Sequence, residues 1–136
     1  MNKLWIPLAL LLVALPLGCS KGGDDSGSTQ SAGGTPAPGA LTPAQAQEAF
    51  NQRCSTCHGT DGTGTGPGSA TLNPKPRNFH DKAWQQSVTD QQIENTIKVG
   101  GAAVGKSPAM PAHPDLASKP EVITALRDLI RNFGKN

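Results

Sequence analysis

The sequence predicts an all-α domain. Three stretches carry helix start and stop signals, no segment shows convincing strand alternation, and the long connection over residues 59–88 is rich in glycine and proline. The first helix opens with Thr42 as N-cap and Pro43 at the first helical position, where a missing N–H costs nothing. Ala46, Ala49, Phe50 and Arg53 carry it into Cys54. The second opens with Thr89 and Gln92, a capping box, flanked by Val88 and Ile93 as a hydrophobic staple. Ile93 and Ile97 share a face, and Gly100-Gly101 ends the helix. The third reads as a capping box at Ser118 and Glu121 and closes at Gly134. Its apolar stripe is Val122, Ile123, Leu126, Leu129, Ile130 and Phe133, spaced by three and four. A short helical turn is expected near Lys82 to Gln85.

The chain has 136 residues, room for one domain once a targeting segment is removed. It begins MNKLWIPLALLLVALPLGCS, a lysine followed by the apolar run Leu4 to Leu17, which only Pro7 and Pro16 interrupt. A bilayer span takes about 20 apolar residues, so this run suits a secretory signal instead. Its end, Leu17-Gly18-Cys19, resembles a bacterial lipobox, in which the chain is cut before the cysteine and the cysteine is acylated. Residues 1–18 are therefore expected to be a signal peptide and Cys19 a lipid anchor. Residues 19–40 are dominated by Gly, Ser, Thr, Pro and Ala and read as a flexible tether of about 25 Å r.m.s. span. Residues 41–136 form the domain. The expected setting is the cell envelope, with the domain on the periplasmic or outer face of a bacterial membrane. Net charge is +2, falling to +1 once Lys3 leaves with the signal, and no basic stretch is interleaved with aromatics. Nucleic acid is not an expected partner.

Three cysteines do not pair off, and the lipid anchor accounts for one. The other two stand in Cys54-Ser55-Thr56-Cys57-His58, the attachment pattern of haem c. Two thiols at this spacing reach two vinyl groups on one porphyrin edge, and the next residue is carried under the ring as an iron ligand. A zinc site needs a second ligand pair, and only His80 and His113 remain. A redox dithiol belongs at a strand-to-helix turn of a sheet, and no sheet is apparent. A structural disulfide across two residues is strained and leaves His58 without a purpose. The glycine run that follows lacks the Gly-Lys-Ser/Thr ending of a phosphate cradle. Haem also answers the composition: 35% hydrophobic and 4% aromatic residues are little for a core, which a porphyrin would complete. One covalent haem c is the expected cofactor, and the domain without it is expected to be poorly folded, as with metal-dependent folding elsewhere.

Met110 is the one methionine left once Met1 departs, and it stands in Ser107-Pro108-Ala109-Met110-Pro111. Prolines on both sides stiffen a loop that presents one side chain. A core methionine is the plainer reading, at odds with this loop-like setting. His80 and His113 are rival ligands, by default surface or propionate-side residues.

These features together resemble a class I monohaem cytochrome c over residues 41–136. The matching positions are Cys54, Cys57, His58 and Gly59, the Gly66-Pro67 loop, Trp84, Met110-Pro111 and the final helix. The resemblance implies three or more helices wrapped around one haem. It implies a crossing of first and last helices, with Ala46 and Phe50 facing Leu126 and Leu129. It also implies axial ligation by His58 and Met110, a Pro67 carbonyl accepting the Nδ1 proton of His58, and haem propionates met by Trp84 and Arg77. Met/His ligation closes both axial positions and raises the reduction potential, which suits a one-electron carrier rather than an enzyme. Partners are expected to be redox proteins docking transiently, with the membrane reached through the lipid and the domain itself monomeric. Lys75, Lys82, Lys98 and Lys106 either form a partial basic rim or are scattered solubilising charges. The rival functions are a five-coordinate haem sensor or enzyme, and a fixed electron-entry subunit of a larger oxidoreductase.

Overall fold

The computed structural model describes residues 39–136. The expected signal peptide, Cys19 and nearly all of the tether lie outside the described residues. Within them the order is α1 (Pro43–Arg53), α2 (Ser55–His58), a 3-10 turn (Pro67–Ser69), α3 (Lys82–Ser87), α4 (Asp90–Ala103), a second 3-10 turn (Pro114–Leu116) and α5 (Pro120–Phe133). No strand occurs among the described residues, and no helix there is long and apolar enough to cross a membrane.

The helix starts follow from local chemistry. Thr42 Oγ1 accepts from the Gln45 N–H at 3.3 Å, and the Gln45 side chain accepts from the Thr42 N–H at 2.9 Å. This completes a capping box of which only Thr42 was expected. Thr89 and Gln92 form the second box as expected. The third expectation fails. α5 starts at Pro120 with Lys119 as N-cap, and Ser118 Oγ lies 3.5 Å from the Asp115 carbonyl instead of capping. A residue before proline is kept out of the helical region. Lys119, at φ −130° and ψ 65°, therefore cannot be the first helical residue that a Ser118 cap requires.

α5 packs against both α1 and α4. Phe50, Leu116, Ile123 and Leu126 are fully buried where they meet. Ala46 and Phe50 form the inner face of α1, as expected. On α5 the inward residues are Ile123, Leu126, Ile130 and Phe133, whereas Leu129 is half-buried at the edge of the core. The stripe was wide enough to allow either residue, and packing turns Ile130 inward.

One polar network ties α3, α4 and α5 together. Arg131, 23% exposed, donates to Asp90 Oδ1 at 2.8 Å, to the Gln85 carbonyl at 2.7 Å, to Gln85 Oε1 at 2.9 Å and to the Val88 carbonyl at 2.7 Å. Arg127 joins from α5 with Asp90 Oδ2 at 3.1 Å. A buried acceptor left unpaired costs about 1–3 kcal/mol, so Arg131→Ala, which strips two carbonyls, is expected to lose about 3 kcal/mol in urea unfolding. The Arg131 hydrogen bond holds the Asp90 carboxyl below its ordinary value of 3.8. That contribution is complete above the ordinary value and is lost as pH falls through the depressed one. The gap between Arg131→Ala and the parent therefore narrows below about pH 4.

Candidate haem site

A cavity of about 800 Å³ opens between α2, the 74–79 return segment, α4 and the loop before the second 3-10 turn. Cys54, Cys57 and His58 line one side of it, and Met110 and His113 also reach it. Apolar side chains of α4 and α5, including Ile93, Ile97, Leu126 and Ile130, form much of its wall.

Cys54 is the N-cap of the single turn α2, which continues almost directly from α1. Cys54 and Cys57 are both free thiols. Burial pushes the Cys54 thiol up to about 11, against the pull of Arg53. It stays protonated near neutrality, the opposite of a redox dithiol, whose attacking thiol is acidified. Among the described residues no three side chains of the usual metal-binding types are gathered as a zinc site requires.

His58 ends α2, and its Nδ1 lies 3.2 Å from the Arg77 carbonyl. A carbonyl only accepts, so Nδ1 carries the proton and Nε2 keeps its lone pair. Burial also lowers the pKa of the ring, which favours the neutral, ligating form. The expected acceptor was the Pro67 carbonyl, and here the expectation needs correcting. Pro67, itself exposed, opens the 3-10 turn and does not line the cavity. The glycine loop folds back through the Gly64 N–H to the His58 carbonyl at 2.8 Å and the Gly66 N–H to the Cys57 carbonyl at 3.1 Å. The return segment then docks on that loop through the Phe79 N–H to the Gly62 carbonyl at 2.8 Å, which brings Arg77 beside His58. The imidazole also stacks on Phe79, with ring centroids 4.6 Å apart and planes 14° from parallel.

Trp84 projects from α3 and lines the cavity, its ring 5.5 Å from Phe79. The Arg77 guanidinium lies 5.8 Å from the centre of the Trp84 ring and 3.5 Å from Asp81. His80 is turned elsewhere, its Nε2 donating to the Asp61 carbonyl at 2.8 Å. Of the four lysines named above, Lys75 and Lys106 line the cavity, whereas Lys82 and Lys98 do not. Lys75 is tied to the Ser69 and Ala70 carbonyls at 2.8 and 2.6 Å.

The Met110 loop is held by a pair of glycines. The Gly101 N–H donates to the Met110 carbonyl at 3.0 Å, and the Lys106 N–H returns to the Gly101 carbonyl at 2.8 Å. Gly100 sits at φ +78°, so the helical backbone breaks there, although the chain makes one more turn to Ala103. A Cβ on Gly101 would run into the Ser107 carbonyl oxygen. Gly101→Ala is therefore expected to displace the Met110 loop and lower the urea midpoint of the protein.

The family model described as Cytochrome c matches residues 43–132. The chain belongs to the cytochrome c family. Among solved structures it is similar to the KustC0563 c-type cytochrome, 31% identical over 65% of this chain and 95% of that one, with a TM-score of 0.49. No curated protein matches.

Cytochromes c carry covalently bound haem c, and the residues here fit it. Two unpaired thiols and an imidazole with a free Nε2 border one cavity, whose walls are largely apolar. The basic residues lining it are Arg53, Lys75, Arg77, Lys106, His58 and His113, and no carboxylate lines it. That charge suits a group carrying two propionates. Arg53, at the end of α1, was not among the expected site residues, and neither was Phe79. Their signals were faint: an arginine beside the first cysteine, and one of only three phenylalanines in the chain.

Proposed function

We propose that this haem electron-transfer protein is a one-electron carrier, with His58 and Met110 as its axial ligands and no enzymatic activity of its own. The carrying observation is that the attachment cysteines, His58 and Met110 line a single cavity. The haem supplies a one-electron ferric/ferrous couple. The residues do the rest. Cys54 and Cys57 fasten one edge. The Arg77 carbonyl fixes the His58 tautomer and raises its basicity. Gly101 and the flanking prolines hold Met110 at the cavity, where its thioether would serve as the second iron ligand. Trp84 and Arg77 line the same cavity and would donate to the propionates in this reading.

The partners in this reading are redox proteins met briefly, through a small contact at the cavity mouth. The cationic lining favours an acidic docking face on the partner. Cleavage before Cys19 and acylation there would hold the monomeric domain on a tether at a bacterial membrane, in the periplasm or on the outer surface. A potentiometric titration is expected to give a single one-electron wave, and the protein is expected to show no peroxide turnover. Two waves, or steady turnover, would refute a simple carrier. The mass of the mature chain tests the haem and the acyl groups together.

A further inference from the structure

We propose that Phe79 is a positioning residue that sets the rotation of the His58 imidazole plane. The inference rests on His58 ligating the iron, as proposed above.

The torsion that turns a histidine ring about its Cβ–Cγ bond is broad and has no sharp staggered wells. The single hydrogen bond from Nδ1 to the Arg77 carbonyl at 3.2 Å fixes which edge of the ring faces the chain. It still lets the ring swing about the line of that bond. A flat surface lying against one face of the imidazole removes this freedom, and Phe79 supplies it at 4.6 Å and 14°. Offset, near-parallel contacts of this kind are favoured between aromatic rings.

Phe79 is itself immobilised. It is 6% exposed, and its N–H is bonded to the Gly62 carbonyl. Behind it lies Phe133 of α5, its ring 11° from parallel at 6.3 Å, and Phe50 of α1 meets it edge-on at 6.3 Å. Trp84 closes a further side at 5.5 Å. Among the described residues, all three phenylalanines and Trp84 stand in this one cluster. Of these rings, Phe79 is the one stacked on the imidazole of His58. Both holds on His58 come from one short stretch, the carbonyl from Arg77 and the ring face from Phe79. The orientation of an imidazole plane about its bond to iron governs how its π orbitals overlap the metal d orbitals. A residue that sets that angle therefore acts on the electronic state without touching the metal.

The test uses nuclear magnetic resonance of the haem-loaded protein. In the reduced wild type, cross-relaxation is expected between the ring protons of His58 and Phe79. In the oxidised state, Phe79→Leu is expected to shift the order and spread of the four haem-methyl resonances, and Phe79→Tyr to restore the wild-type pattern. Phe133→Leu serves as control. It thins the same cluster and lowers the urea midpoint, and is expected to leave the methyl pattern in place. A purely structural Phe79 would behave as Phe133 does. An unchanged methyl pattern in Phe79→Leu would overturn the proposal, as would absence of the ring–ring signal in wild type. If Phe79→Leu does not fold, that signal and the Phe79→Tyr pattern decide. Failure of the underlying ligation is read separately: His58 ring protons without the strong ring-current shift of an axial ligand would refute ligation itself.

Discussion

Replacing Cys54 and Cys57 together by alanine is expected to abolish covalent haem and, with it, the folded domain. The reason is the size of the space the haem takes. An unfilled cavity in a core costs about 24 cal/mol per Å³, and whole domains are held by about 5–15 kcal/mol. The cavity here is about 800 Å³ and opens to solvent, so part of that cost is relieved by water, and the haem-free chain still lacks the packing that a porphyrin would give its largely apolar walls. Mass spectrometry should find the double variant without the haem mass. Circular dichroism should show lost helix and no cooperative unfolding. Either single variant keeps one thioether and is expected to fold with lower stability. A double variant that unfolds cooperatively without haem would contradict this dependence.

Met110→Ala is expected to change the chemistry while leaving the fold in place. Met110 is only half-buried, so its truncation costs less than the about 2–5 kcal/mol of a fully buried methionine. The Gly101 N–H bond to the Met110 carbonyl is a backbone contact and survives the substitution. What is lost is the side chain at the cavity. On the proposed ligation this opens the sixth position, so the oxidised protein should lose its far-red band, the reduction potential should fall, and the reduced protein should bind one carbon monoxide per chain where the parent binds none. His113 lines the same cavity and is held by its N–H to the Lys98 carbonyl at 3.1 Å. A Met110→Ala/His113→Ala double variant therefore shows whether this histidine competes for the opened position.

Features that residue type encodes directly were legible in the sequence. The cysteines and histidine of α2 have few alternative uses at that spacing. Thr42 and Thr89 cap because their hydroxyls suit a helix N-terminus, and the all-α reading followed from such signals. Features that depend on how the chain returns on itself were not legible. The acceptor for His58 is a backbone carbonyl, which every residue possesses, so nothing in the letters favours Arg77 over Pro67. The glycine loop docks on the return segment, and that docking makes the choice. Phe79 was silent for the same reason, since its importance is a stacking distance across the loop. The Ser118 cap was misplaced because the constraint that Pro120 puts on Lys119 outweighs a matching capping pattern. Leu129 and Ile130 lie side by side on one stripe, and only the packing of α1 and α4 decides which turns inward. The Arg131 network spans three helices and carries no local signature.

The central claim is a haem closed on both sides by His58 and Met110, and hence a carrier of electrons. Absorption spectroscopy of the wild-type protein tests it most directly, first oxidised and then reduced under carbon monoxide. The expected result is a weak far-red band in the oxidised spectrum and no change on adding carbon monoxide to the reduced protein. Ready carbon monoxide binding without the far-red band would contradict it.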